Sequence, residues 1–140
     1  MSLAAIGFGV CLALAAQPQA APTFVPAHAF TLAWTHSIEK VRWEEDYTVQ
    51  APGSRNSPPE LLAGTARVRG SAAGMEPPDH AVLRDGWYEY QPNKNLPAKL
   101  QLMRSAYVPD FELCMNGTCR PMNDILPTDG DITLLYACEG

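Results

Sequence analysis

No window of this chain sustains an apolar period of 3.6 residues over three turns, which argues against helix-built architectures. Basic residues are scarce: 10 Lys and Arg stand against 15 Asp and Glu, a formal charge of -5. Arg67 with Arg69, and Lys40 with Arg42, are the only basic residues as close as two positions apart. No stripe is therefore available to displace counterions from nucleic acid or to grip an anionic membrane surface. Long hydrophobic runs are lacking too, the one from Ala4 to Ala16 being too short for a bilayer span. There is no Gly-x-Ser-x-Gly elbow, no His-x-His or Met-x-Met spacing, no heptad and no internal repeat. Each absence removes a class: nucleophile-elbow hydrolase, spaced-ligand metal carrier, coiled coil, repeat array.

What is present begins with that short run. Ala13-Leu14-Ala15 matches the small-x-small pattern of a signal-peptidase site, and Gln17-Pro18 breaks the structure just after. Met1-Ser2-Leu3 carries no basic residue, so the start of the pattern is weak. Phe8-Gly9-Val10-Cys11 lacks the small residue expected before a lipid-anchor cysteine. The reading is a leader over 1–15, an extended lead-in over 16–29 and a single domain over 30–140. Localisation would be periplasmic or secreted, with no stable membrane span after cleavage. The leader carries no charge, so the acidic balance belongs wholly to the mature domain.

Three cysteines then remain. Cys114 and Cys119 flank Met115-Asn116-Gly117-Thr118, and Asn-Gly is the strongest short hairpin signal because a type I′ turn needs positive φ at both central residues. With that turn, Cys114 faces Cys119 at a non-hydrogen-bonded position, where Cα atoms approach to about 4.5 Å. A structural disulfide is expected in an oxidising compartment. Four intervening residues do not match the two-residue redox spacing. Asn116-Gly117-Thr118 is also a glycosylation sequon, which the turn accounts for without glycan. Cys138 is left odd, on the Ile132, Leu134, Tyr136 face of a terminal strand, and is expected as a buried free thiol.

Thirteen Pro and ten Gly punctuate short alternating segments. Strands are predicted around Phe30–Thr35, Val41–Val49, Leu62–Arg69, Ala81–Leu83, Trp87–Tyr90, Leu96–Leu102, Phe111–Met115 and Ile132–Cys138, with Asp85-Gly86 as a second hairpin turn. Seven or eight such strands predict an all-β domain: a single antiparallel β-sandwich or small barrel with a disulfide-linked hairpin.

One strand concentrates the ionisable chemistry. Alternation places Val41, Trp43, Glu45, Tyr47 and Val49 on one face and Arg42, Glu44, Asp46 and Thr48 on the other. Glu45 thus falls in an apolar row, where a carboxylate needs a cation, a donor or a proton.

Several motifs together resemble a known family. Phe30-Thr31-Leu32-Ala33-Trp34-Thr35-His36-Ser37-Ile38-Glu39-Lys40 with Trp43-Glu44-Glu45-Asp46 is similar to the opening motif of the DUF1850 family of small bacterial proteins. Ala66 to Ser71, Gly74-Met75-Glu76-Pro77-Pro78, Asp85-Gly86-Trp87, and Glu112-Leu113-Cys114 through Cys119-Arg120-Pro121 continue the match in order. The resemblance implies no established activity. It implies an exported or membrane-attached domain, often encoded beside TRAP transporters of the TAXI type. A transporter component or an extracytoplasmic solute-binding protein is therefore the expected partner. Ala72 departs from the family pattern by standing where its loop commonly has the first glycine, which puts the loop geometry in doubt.

The predicted site comprises His36, Ser37, Glu39, Glu45, Arg69, Ser71 and Glu76. Glu45 would be the charged anchor, with Arg69 as counter-ion or ligand clamp. The small-residue loop 70–74 would offer backbone N–H groups to a small polar or carboxylated solute. The structural alternative is that Glu45 merely pins strand register against an Arg. Adjacent His36 and Ser37 point to opposite strand faces, so a nucleophile–base pair is disfavoured and no catalytic residue is assigned. His28, His36, His80 and Met75 lack ligand spacing, so no metal or other cofactor is expected. The function expected is a non-enzymatic, exported accessory or ligand-binding domain. The alternative is an interaction subunit without ligand, with a periplasmic metal-binding protein or a hydrolase ranked below it.

Overall fold

The computed structural model describes residues 7–35, 40–54, 56–69, 78–92 and 95–140. Eleven strands run through them: β1 Phe8–Leu14, β2 Thr23–Val25, β3 Ala29–Thr35, β4 Arg42–Gln50, β5 Glu60–Arg69 and β6 Val82–Arg84, then β7 Trp87–Tyr90, β8 Leu100–Met103, β9 Glu112–Met115, β10 Thr118–Pro121 and β11 Ile132–Glu139. A 3-10 turn, Met122–Asp124, follows β10. All pairings are antiparallel and fall into a four-stranded sheet, β2-β1-β11-β8, and a seven-stranded sheet, β10-β9-β3-β4-β5-β7-β6. The expected all-β sandwich is what forms, and it is not a closed barrel.

Between the sheets lie Val10, Leu12 and Leu135 from one side and Phe30, Leu32, Tyr47, Val49 and Leu113 from the other, each under 10 % exposed. Period-two alternation put the sheet residues there. Both expected turns hold: Asp85 and Gly86 have φ of 50° and 87°, Asn116 and Gly117 of 54° and 80°. In each, glycine takes the second left-handed position at no steric cost.

The structure departs from the sequence reading in four places. Phe8–Leu14, assigned above to a leader, is an interior strand paired with β2 and β11. Its alternation buries Val10 and Leu12, so the run serves the core as a strand does. Cys138 is not free but bonded to Cys11, closing a separation of 127 residues. The face of β11 was also inverted. Thr133 and Leu135 point inward, because buried Arg104 takes the Thr133 hydroxyl as a partner. Finally, β5 changes parity at a bulge where Gly64 and Thr65 oppose Asp46. Leu61 and Ala63 therefore join the core while Leu62, apolar like them, is 42 % exposed.

Candidate functional site

Seven strands cannot be matched by four, and a cleft opens where edge strand β8 meets the inner face of β3 and β4. It measures about 520 Å³ and is walled by Leu32, Trp34, Tyr47, Leu100, Leu102 and Phe111, with Pro97 and Gln101 at its border. Glu45 lines the same cleft. The alternation of β4 sends it there, exactly one position from the outward Glu44 and Asp46. Its Oε1 accepts a hydrogen bond of 2.7 Å from the Tyr47 hydroxyl. No guanidinium or ammonium pairs with it among the described residues. Burial first, and the Glu45 charge second, push the Tyr47 hydroxyl well above its ordinary pKa. Tyr47 therefore stays protonated and remains a donor. Burial and the same charge raise the Tyr90 hydroxyl as well. Behind the cleft wall Trp43 stacks on Trp34 at 6.1 Å, its buried indole N–H lacking an acceptor among the described residues.

The opposite face of the sheet carries a different arrangement. Arg42 donates from Nε to Glu44 at 2.8 Å and from Nη1 to Glu112 at 3.1 Å. Arg67 donates to the other oxygen of Glu44 at 2.7 Å and to Asp46 at 3.0 and 3.1 Å. The Thr31 hydroxyl completes the row at 2.7 Å from Asp46. This ladder ties β9, β3, β4 and β5 together across their outer face. Partial burial alone would raise the carboxyl pKa of Glu44 and of Asp46, but the hydrogen bonds from the guanidinium groups outweigh it and hold both below the ordinary range.

A third polar centre lies at the end of β8. Arg104 is 1 % exposed and reaches Asp110 at 3.0 and 3.3 Å, Asn123 at 3.0 Å and Thr133 at 3.1 Å. Asp110 also accepts from the backbone N–H groups of Phe111 and Asn123. Every strong donor and acceptor is used internally, which marks a structural node and not a site.

Of the predicted site residues, Glu45 stands in the cleft. Arg69 does not join it: β5 alternation sends Arg69 to the outer face, its guanidinium 5.2 Å above the ring of Trp87. The counter-ion role given to Arg69 therefore has no geometric support. His36, Ser37, Glu39, Ser71 and Glu76 lie outside the described residues, as does Ala72. The register-pinning role proposed for Glu45 is instead filled by its neighbours Glu44 and Asp46. Arg42 and Arg67 were legible as outward residues of their strands, but their partners come from strand order, which the sequence does not print. Among the described residues, Glu112, Cys114 and Cys119 are the group close enough to share a metal, within 4.8 Å. Both sulfurs are bound to each other, so the group is not a ligand set in this state. His28 stacks on Phe8 and His80 packs edge-on against Tyr90, neither belonging to that group.

Fold and site together define a disulfide-linked β-sandwich with a carboxylate in an apolar inter-sheet cleft. No curated protein and no solved structure matches the chain. It belongs to the DUF1850 family, a domain of unknown function, whose model matches residues 30–122. That span holds nearly all of the seven-stranded sheet and β8 but leaves β1, β2 and β11 outside it.

Proposed function

We propose that this domain is a non-enzymatic accessory to extracytoplasmic solute uptake, and that its inter-sheet cleft binds a small molecule with an apolar body and a cationic amine at one end. The observation that carries the reading is Glu45: a carboxylate among Leu32, Trp34, Leu100 and Phe111 whose described partner is one hydroxyl. A charge so placed is poorly compensated, and an ammonium group supplies both countercharge and donors. The Trp34 ring in the wall adds a face on which a cation is favoured. A carboxylated solute would instead meet like charge, so the ligand class narrows from polar or carboxylated to amine-bearing. Two disulfides and no free cysteine support an oxidising, extracytoplasmic setting. No helix among the described residues is long and apolar enough to cross a membrane. The link to solute uptake rests on the resemblance to a family encoded beside TAXI-type transporters.

Thermal shift with benzylamine and tyramine, against succinate and glutamate as controls, tests this. An amine at about 100 times its Kd should stabilise the fold by about 2.7 kcal/mol, while the carboxylates leave it unchanged. Glu45→Gln should abolish the amine shift yet keep stability within about 1 kcal/mol of the parent, since a neutral amide still accepts from Tyr47. A flat response of the parent protein to every amine would sink the ligand reading. Unfolding of Glu45→Gln would return Glu45 to a purely structural role.

A further inference from the structure

The hairpin disulfide sits in an environment that the ligand cleft does not explain. Cys114 and Cys119 face each other across β9 and β10, Cys119 exposed and Cys114 half-buried. Arg42, reaching over from β4, places Nη2 3.9 Å from Cys114 Sγ and 3.8 Å from Cys119 Sγ. Nε is engaged by Glu44 and Nη1 by Glu112, and Nη2 itself also donates to Glu112 at 3.5 Å, which fixes the guanidinium plane against the sulfurs. An open depression of about 470 Å³ gives access, bordered by both cysteines and the Asn116-Gly117 turn. The other disulfide is open at one end only: Cys138 is half-buried beside a depression of about 350 Å³, while its partner is enclosed. Cys11 is 4 % exposed and its bridge ties the first strand to the last.

We propose that Cys114–Cys119 is an exchange-reactive disulfide, opened and reclosed by an external dithiol while the fold stays intact, with Arg42 holding the departing thiolate. The incoming thiolate attacks the exposed Cys119 Sγ. A mixed disulfide forms there, the Cys114–Cys119 bond breaks, and Cys114 leaves as a thiolate that accepts a hydrogen bond from Arg42 Nη2. The second thiol of the reagent then attacks its own sulfur in the mixed disulfide, releasing Cys119 as a thiolate and the reagent as a cyclic disulfide. Two electrons pass from the dithiol to the cysteine pair, and the reverse sequence with an oxidised dithiol recloses it. Exchange is faster when the leaving thiolate is stabilised and the attacked sulfur is accessible, which are the two conditions met here. Glu112 opposes the thiolate by its charge, but its carboxylate is already bound to Arg42 Nη1. Opening the bridge leaves the hairpin registered by its type I′ turn and by β9–β3 pairing. A loop with a sequence separation of 5 also restrains the unfolded chain far less than one of 127.

The test is timed reduction of the native protein by dithiothreitol, quenched with an alkylating reagent and read by peptide mass. Cys114 and Cys119 should be alkylated at least about tenfold faster than Cys11 and Cys138, with far-UV circular dichroism unchanged. Arg42→Gln should slow that opening by about tenfold and Arg42→Lys by less, since the ammonium keeps a donor near the sulfurs. The doubly substituted Cys114→Ser, Cys119→Ser protein should remain folded, showing that the hairpin does not need its bridge. Equal reduction rates for the two disulfides, or reduction of the hairpin only on global unfolding, would overturn the proposal. An Arg42→Gln protein that is folded and reduced at the parent rate would overturn the part assigned to Arg42.

Discussion

At the residue scale the largest single debt is owed by Arg104. Its guanidinium is out of water and its charge is met by Asp110, with Asn123 and Thr133 taking the remaining donors. Arg104→Ala would leave Asp110 without its cation and Thr133 and Asn123 without a donor. Breaking one partner of a buried pair costs about 3–5 kcal/mol, so the urea midpoint should fall steeply at pH 7. Arg104→Lys should recover little, because a point ammonium cannot reach Asp110 bidentately while also serving two other acceptors. Nothing in Leu102-Met103-Arg104-Ser105 announces this role. The partners stand 6, 19 and 29 positions away, and only the return of β11 past β8 brings them together. Glu45 was legible for the opposite reason: its peculiarity lies within one strand, where alternation alone puts a carboxylate in an apolar row. The same alternation put Arg69 opposite Val68, so its separation from the Glu45 face could be read within β5 as well.

At the element scale, turns and alternating strands were readable because Asn-Gly, Asp-Gly and period-two patterns are local. What escaped depends on non-local pairing. The Ala4–Ala16 run has the composition of a leader and equally that of an interior strand buried on both faces, and only the presence of β11 as a partner distinguishes them. Likewise the Gly64-Thr65 bulge is visible only against Asp46 on the facing strand. The Cys11–Cys138 bridge fastens β1 where it pairs, and its removal is the sharpest test of that placement. In the chain-entropy model a loop of this length restrains the unfolded state by about 5 kcal/mol, so Cys11→Ala with Cys138→Ala should lose much of that amount. The measurement is denaturant unfolding of the two proteins side by side under non-reducing conditions. A protein beginning after residue 15 should fare worse still, losing Val10 and Leu12 from the core as well as the bridge. Stability equal to the parent would mean, for the cysteine variant, that the bridge contributes nothing, and for the shortened protein that β1 contributes nothing to the fold.

For the whole molecule, the question is what holds a wide sheet together when a four-stranded sheet covers only part of it. Seven strands face four, so the part of the wide sheet left uncovered needs cohesion beyond the shared core. The outer ladder supplies some of that cohesion, since Glu112, Arg42, Glu44, Asp46 and Arg67 link β9, β4 and β5 by charge and the Thr31 hydroxyl joins β3 by a hydrogen bond. Its effect should be pH-dependent with a definite sign. Glu44 and Asp46 have folded pKa values depressed below the ordinary 4.5 and 3.8. Below those ordinary values the unfolded chain binds protons that the folded protein still refuses, so stability falls as pH falls. The contribution is complete above about pH 6 and is lost as pH drops through the depressed values, below the ordinary carboxylate range. Urea midpoints taken from pH 7 down to pH 3 should therefore decline, and the decline should be shallower in Arg67→Met, which has lost the main cause of the Asp46 depression and part of that of Glu44, where Arg42 remains. At pH 7 that variant should be weaker by about 1–2 kcal/mol, a modest figure because water screens partly exposed pairs even where one guanidinium holds two carboxylates. In 1 M salt, where the Debye length is about 3 Å, the gap between parent and variant should narrow. Parallel pH profiles for the two proteins would show that the ladder is ornament on a sheet held by its core and backbone alone.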